Sequence, residues 1–126
     1  MSSATKGGLG TGHVHEMAIA RSLINIAVAA AEKEGARRIT RVNVVAGELR
    51  GIVPSQFCFC FGLMAENTIA GGAYLGLEIA PVTGKCRSCD ETFAVENYRY
   101  VCPRCQGQDI QTVGGTELRL RDIEIE

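Results

Sequence analysis

The chain has 126 residues, of which 46% are hydrophobic and 21% charged, and its formal net charge is -1. A chain of this length forms one domain, with room for a small appended module. The near-neutral charge argues against a general nucleic-acid binder, because such proteins depend on long-range attraction to phosphate. No stretch provides the roughly 20 apolar residues of a membrane-spanning helix, and residues 1–13 lack the apolar core of a secretory signal. We therefore expect a cytoplasmic globular protein that binds neither membranes nor nucleic acid.

The N-terminal half predicts two helices and one strand. Residues 1–13 are rich in Gly, Ser and Thr and show no apolar periodicity, so we expect a flexible extension. From His15 onward, apolar residues recur at helical spacing, and Gly35 stands where a helix C-terminal cap would be. Segment 38–48 alternates between apolar and polar residues, which predicts a strand, and a second helix begins at Pro54.

Two further alternating segments, 74–82 and 118–124, predict strands, and all four paired cysteines lie between them. The simplest architecture is α+β, with a three-stranded sheet, two helices on one face, and a metal-binding ribbon inserted between the second and third strands. The expected divisions are a flexible extension at 1–13, an α/β domain formed by 14–82 and 116–126, and a ribbon domain at 83–115.

Two Cys-x-x-Cys pairs are separated by 12 residues. Each pair allows one tight turn to present two sulfurs to a single ion, and four thiolates form a closed tetrahedral site with no position for water. The spacing is typical of structural zinc ribbons, although a rubredoxin-like iron site uses the same ligands. Two disulfides would require an oxidising compartment, which nothing in the sequence supports. We therefore predict a structural zinc ion bound by Cys86, Cys89, Cys102 and Cys105.

The other two cysteines, Cys58 and Cys60, lie in the aromatic segment FCFCF of the second helix. Neither has a histidine or a further thiol at ligand spacing. Because free cysteine is among the most frequently buried residue types, we interpret both as packing residues.

Several motifs occur in a characteristic order along the chain. They are Val14-His15-Glu16-Met17, then Gly47-Glu48-Leu49-Arg50-Gly51-Ile52, the two cysteine pairs, and a closing strand of alternating charge. Together they resemble the HypA/HybF family, the nickel-delivery accessory proteins of nickel–iron hydrogenase maturation. The resemblance runs from about residue 14 to residue 126. It implies a nickel metallochaperone, not an enzyme, that binds Ni(II) and delivers it during maturation of nickel–iron hydrogenase.

The resemblance also implies a nickel site and partners. The family begins Met-His-Glu and holds nickel through N-terminal nitrogens, the histidine imidazole and nearby backbone or carboxylate groups, so the implied ligands are His15 and Glu16. Ni(II) favours such nitrogen and oxygen donors. The implied partners are a nickel-handling maturation GTPase and the hydrogenase large-subunit precursor, with a weak homodimer as a further expectation. Delivery to urease is equally open.

The chain departs from the family pattern at two places. Residues 1–13 precede Val14, where the family has its initiating methionine. Either translation starts at position 14, or residues 1–13 are added, or they are native and backbone amides near His15 replace the terminal amine. Relatives often carry an acidic residue just after the Gly-Glu-Leu-x-Gly loop, whereas this chain has Val53, so that role is not transferred.

Two other functions compete with nickel delivery. A zinc ribbon can serve as a nucleic-acid or protein-interaction adaptor, and the basic candidates around the cysteine pairs are Lys85, Arg87, Arg99 and Arg104. A rubredoxin-type electron carrier would hold iron at the same cysteines and would be red. Nucleophilic catalysis is not indicated, because the two histidines both lie near the N-terminus and form no Ser/His/Asp or Cys/His set.

Overall fold

The structure is a computed structural model that describes the backbone of residues 7–126 and the side chains from Glu16 onward. The described strands form two three-stranded sheets, ordered β2-β1-β6 and β4-β3-β5. The fold is therefore α+β, which confirms the predicted class. In chain order the elements are α1 (Gly7–Lys33), β1 (Ile39–Gly47), a 3-10 helix (Glu48–Arg50), α2 (Pro54–Ala65), β2 (Tyr74–Ala80), β3 (Thr83–Cys86), β4 (Thr92–Ala94), β5 (Ile110–Gly114) and β6 (Leu118–Ile125).

The chain divides into two compact units. The four paired cysteines all lie in the second unit, together with β3, β4 and β5. The first unit comprises the chain up to Val44, Ile52–Leu77 and Arg119–Glu126, and the second comprises Val45–Gly51 and Glu78–Leu118.

Side chains from both helices and from β1 form the core of the first unit. Helix α1 buries apolar residues three to four positions apart, and Leu23 and Ala27 lie on this face as their spacing predicts. Ile26 was expected on the same face but is 54% exposed. Helix α2 contributes Phe57 and Phe61, whose ring centroids are 6.4 Å apart. Burying each such side chain stabilises the fold by about 1.5–3 kcal/mol. The buried residues in these elements include Ile19, Leu23, Ile24, Ala27, Ile39, Val42 and Val44.

Helix α1 begins earlier than the sequence indicated. It starts at Gly7, so residues 7–13 of the expected flexible extension have helical backbone. Several glycines disfavour a helix there, but extending an existing helix adds a backbone hydrogen bond per residue without a new nucleation step. The predicted C-terminal end agrees with the structure, since the helix ends at Lys33 and Gly35 has a φ of 71°.

The last strand, β6, lies at one edge of the first sheet and pairs with the central strand β1. The N–H of Glu126 donates to the carbonyl of Arg38 at 3.0 Å, and the N–H of Arg37 donates to the carbonyl of Glu126 at 3.0 Å. The end of β6 therefore lies beside the start of β1, so these two strands are antiparallel.

The ribbon of the second unit is a small antiparallel sheet. Its central strand β3 pairs with β4 on one side, where Thr83 is opposite Ala94, and with β5 on the other, where Cys86 is opposite Ile110. The turn that carries the first cysteine pair begins where β3 ends, at Cys86. The sheet thereby fixes the position of that turn in the unit.

Candidate metal centres

The two cysteine pairs lie in turns with the same backbone geometry. The carbonyl of Cys86 accepts the N–H of Asp90 at 2.8 Å, and the carbonyl of Cys102 accepts the N–H of Gln106 at 2.9 Å. Each of these first cysteines also donates its N–H to the carbonyl five residues later, at 2.9 Å. Asp90 and Gln106 share a left-handed conformation, with φ of 66° and 67°. The turns therefore present their sulfurs in equivalent ways.

The four sulfurs converge on one point. The Sγ atoms of Cys86 and Cys105 are 3.6 Å apart, as are those of Cys89 and Cys102, so each close pair joins one turn to the other. All four Sγ atoms lie within 4.8 Å of one another. A tetrahedral zinc ion with Zn–S bonds of about 2.3 Å requires S···S separations of about 3.8 Å. The geometry therefore fits one structural zinc ion.

Disulfide bonding is excluded by the same distances. A disulfide requires sulfurs about 2.05 Å apart, and all four residues are free cysteines. Cys86 and Cys102 are buried, Cys89 is partly buried and Cys105 is exposed. One edge of the site is therefore accessible to a chelator.

Backbone N–H groups favour the thiolate form of two sulfurs. The N–H groups of Arg104 and Cys105 lie 3.3 and 3.4 Å from the Sγ of Cys102. Burial raises the pKa of Cys102, but the N–H groups of Cys105 and Arg104 outweigh it, and the pKa is lowered. The backbone N–H of Cys89 is the largest influence on Cys86 and lowers its pKa to about 7. Backbone N–H groups act in the same direction on Cys89 and Cys105, but burial and hydrogen bonds with neighbouring thiols outweigh them, so the pKa of Cys89 is raised to about 12 and that of Cys105 is also raised. Because the thiolate is the metal ligand, Cys86 and Cys102 are the sulfurs that the turns favour for metal binding.

Glu16 is the implied nickel ligand whose side chain the structure describes. It is only 5% exposed, and its Oε2 accepts a hydrogen bond from the backbone N–H of Val53 at 3.0 Å. Its Oε1 is buried and has no hydrogen-bond partner among the described residues. A buried polar oxygen without a partner costs free energy, so it is a candidate for a metal or a hydrogen-bond donor.

The side chain of His15 lies outside the described residues. Its backbone lies inside α1, which begins at Gly7. Within an α-helix each N–H donates to the carbonyl four residues earlier, so the amide groups of His15 and Glu16 are used by the helix. The structure thus brings the four cysteines together, whereas of the two implied nickel ligands it describes the side chain of Glu16 but not that of His15.

Sequence reasoning identified Glu16 by its motif but missed its burial and its contact with Val53. A signal for the contact was available. Val53 precedes Pro54 at the start of α2, but valine cannot cap a helix through its side chain, which left the capping group of this helix unidentified. Glu16 supplies the missing acceptor from another element.

The two cysteines of α2 differ from each other. Cys60 is buried, as expected for a packing residue, whereas Cys58 is exposed, so that interpretation is wrong for Cys58. Burial, and secondarily the charge of the Glu16 carboxylate, raises the pKa of Cys60. Cys60 is therefore a protonated thiol beside the buried carboxylate.

None of the helices in the described part of the chain combines the length and apolarity that crossing a membrane requires.

Residues 14–125 match the family model described as hydrogenase/urease nickel incorporation, metallochaperone, hypA. The chain is 36% identical to a hydrogenase maturation factor HypA of Dehalococcoides mccartyi, over 90% of this chain and 95% of that protein. It is 37% identical to the hydrogenase maturation factor HypA of Geobacter metallireducens, over 90% of this chain and 100% of that protein.

Solved structures show the same fold. A solution structure of HypA protein superposes with a TM-score of 0.71 at 29% identity, covering 90% of this chain and 97% of that chain. The solution structure of the Ni metallochaperone HypA from Helicobacter pylori superposes with a TM-score of 0.65 at 28% identity, covering 87% and 96%.

Proposed function

Because the chain belongs to the HypA family of hydrogenase and urease nickel-incorporation metallochaperones, we propose that it binds nickel at His15 and Glu16. The family function is nickel incorporation, so this protein is a metal carrier and not an enzyme. Nickel is its cargo, and zinc is its structural metal. The buried, unpartnered Oε1 of Glu16, directly after His15, is the observation that carries the assignment of the nickel site.

Nickel binding at this position requires a local change in α1. In a continuous helix the amide N–H groups of His15 and Glu16 donate to carbonyls four residues earlier, so these nitrogens are not free to bind an ion. Opening the helix up to His15 would release backbone nitrogens next to the Glu16 carboxylate. Imidazole, amide nitrogen and carboxylate oxygen are ligands that Ni(II) favours. A helical end rich in glycine opens at low cost, which suits a carrier that must release its ion.

We further propose that Cys86, Cys89, Cys102 and Cys105 hold the structural zinc ion, and that 83–115 is the zinc-ribbon domain. The convergence of their sulfurs supports this assignment. In that role the metal joins the two turns, and β3 positions the first of them. The remaining segments, 14–82 and 116–126, form the proposed nickel-binding domain.

The family role in hydrogenase maturation requires contact with the maturation machinery. The proposed partners are a nickel-handling GTPase and the hydrogenase large-subunit precursor, with a weak homodimer as a further state. Exposed Phe59 and Leu63 on α2, a helix without charged residues, support protein contacts. Free zinc-binding thiolates require a reducing compartment, which supports a cytoplasmic location.

A nucleic-acid adaptor is less well supported. Two of the four basic residues around the cysteine pairs lie within ion-pair distance of carboxylates, Arg87 at 3.4 Å from Asp109 and Arg104 at 3.8 Å from Glu91. These contacts reduce the positive charge available to phosphate groups.

Calorimetric titration of Ni(II) into the zinc-loaded chain tests the function. We expect about one nickel per chain and loss of that binding in His15→Ala, with zinc content unchanged by elemental analysis. A third chain that begins Met-His-Glu, with methionine at position 14, shows whether a terminal amine strengthens binding. Unchanged nickel binding in His15→Ala would contradict the proposed site.

A further inference from the structure

We propose that the hydrogen bond between Glu16 and Val53 positions the nickel site, by fixing the Glu16 carboxylate to the start of helix α2. The hydrogen bond holds the Glu16 carboxylate in place. The turn of α1 before Glu16 is then the part of the site that changes its conformation when nickel binds. This inference rests on the proposed function, because it concerns how the same nickel site is held.

The start of helix α2 has no side-chain cap from its own N-cap residue. Val53, the residue before the helix, has an extended backbone with φ of -89° and ψ of 112° and makes no side-chain capping hydrogen bond. The first turn of α2 contains no acidic residue, and Pro54 has no N–H. The Val53 N–H instead donates a hydrogen bond to Oε2 of Glu16, in helix α1, at 3.0 Å.

The same contact restrains the carboxylate. An exposed glutamate loses considerable rotamer freedom when it binds a metal ion, whereas Glu16 is already buried and bonded through one oxygen. The positive end of α2 favours a negative carboxylate at this place. Oε2 is thus bonded to α2, and the unpartnered Oε1 is left for the ion. A ligand held in place before binding gives higher affinity than a mobile one.

A pair of substitutions at one position separates the backbone donor from the side chain. Val53→Pro removes the N–H, and the observed φ of -89° is close to the range that proline adopts. Val53→Ala keeps the N–H and removes the side chain, which is 45% exposed. Zinc content and thermal melting of both zinc-loaded chains establish that they are folded.

We expect nickel to bind Val53→Pro at least about tenfold more weakly than Val53→Ala, a factor that corresponds to about 1.4 kcal/mol. X-ray absorption of the nickel-loaded chains should show the carboxylate oxygen in Val53→Ala and its loss or disorder in Val53→Pro. A purely structural contact would change the melting temperature but not the ligand set. Equal affinities and equal spectra would overturn the proposal.

Amide hydrogen exchange in the unsubstituted chain gives a second test, which decides the matter if Val53→Pro does not fold. Nickel coordination at Oε1 withdraws charge from the carboxylate and should change the exchange rate of the Val53 amide. An unchanged rate on nickel loading would overturn the positioning role. His15→Ala distinguishes the two failures: if it abolishes nickel binding while the Val53 tests are negative, the nickel site stands and only the positioning role is lost.

Discussion

The side-chain amide of Asn43 donates a hydrogen bond to the Asp122 carboxylate at 2.5 Å and so joins β1 to β6 across the first sheet. The other end of the same amide is also used, because the Nε of Arg41 donates to its Oδ1 at 2.9 Å. The Arg41 guanidinium in turn lies 4.4 Å from the ring centroid of Tyr74 on β2. Both polar atoms of the buried Asn43 amide therefore have hydrogen-bond partners, and the network of contacts extends over all three strands of the sheet.

The hydrogen bond between Asn43 and Asp122 predicts that the stability of the fold depends on pH. The hydrogen bond from Asn43 is the largest influence on Asp122 and lowers its pKa, with Arg121 and Arg41 acting in the same direction. Since the folded-state pKa lies below the unfolded value of about 3.9, this stabilisation is present above that value and is lost as the pH falls through the folded pKa. Urea unfolding between about pH 5 and pH 2 should therefore show a steeper loss of stability in the unsubstituted protein than in Asp122→Asn. Parallel pH profiles would contradict the assignment.

Gly76 on β2 leaves the space in which the Asn43 amide lies. A Cβ at position 76 would overlap the Asn43 amide oxygen and approach Nη2 of Arg41 to 3.0 Å. We expect Gly76→Ala to lower the free energy of unfolding by about 1–3 kcal/mol, the usual cost of overpacking. Gly62 is the matched control, because a Cβ there meets no atom within 4 Å in the middle of α2.

Gly62→Ala should instead stabilise the protein by about 0.5–1 kcal/mol, because alanine is the better helix former. Urea unfolding of the two variants measures both effects. Equal effects of the same sign would show that helix and strand propensity alone govern these positions, and that the space beside Asn43 does not matter.

The sequence was sufficient to predict the features that depend on neighbouring residues. The cysteines of the cluster could be predicted because each Cys-x-x-Cys pair forms its turn locally. The three strands of the first sheet could be placed because apolar and polar residues alternate along them, although β1 is buried on both faces over residues 42–47. Gly35 also indicated the end of α1 from local sequence, because the position after a helix often has a left-handed backbone conformation, which glycine adopts most easily.

Contacts between distant segments could not be predicted in this way. Asn43 and Asp122 are 79 positions apart, and Glu16 and Val53 are 37 apart. Neither pair has a spacing rule, because its geometry depends on strand order and on helix packing. The burial of Glu16 was missed for this reason, as was the start of α1 at Gly7, where helix extension overrides weak local propensity.

The equivalent turns of the zinc site predict different responses to glycine. Gln106 occupies the left-handed region, where a non-glycine residue costs about 1–2 kcal/mol, and Asp90 occupies it in the other turn. Aspartate tolerates this conformation better, because its short side chain can hydrogen-bond to the backbone locally. We expect Gln106→Gly to increase the resistance of zinc to a competing chelator and Asp90→Gly to have a smaller effect. Metal-competition titrations measure both, and a larger gain from Asp90→Gly would contradict the strain argument.

Zinc removal should unfold the ribbon, because the second unit has few apolar side chains to hold it together. Its largest fully buried side chains are Val82, Cys86 and Cys102, two of which are proposed metal ligands. Without zinc, hydrogen exchange should become fast in β3, β4 and β5 but remain slow in the core of α1.

Acid should also release zinc and unfold the ribbon, because protons compete with zinc for the thiolates.

Cys86→Ala should lose zinc at neutral pH, whereas Cys58→Ala, which removes an exposed thiol outside the cluster, should retain one zinc per chain. Elemental analysis of the two variants, with hydrogen exchange of each, compares the loss of one proposed ligand with that of an unrelated cysteine. Full zinc content in Cys86→Ala would refute the four-cysteine site, and slow exchange throughout β3 in a zinc-free chain would show that the ribbon folds without its metal.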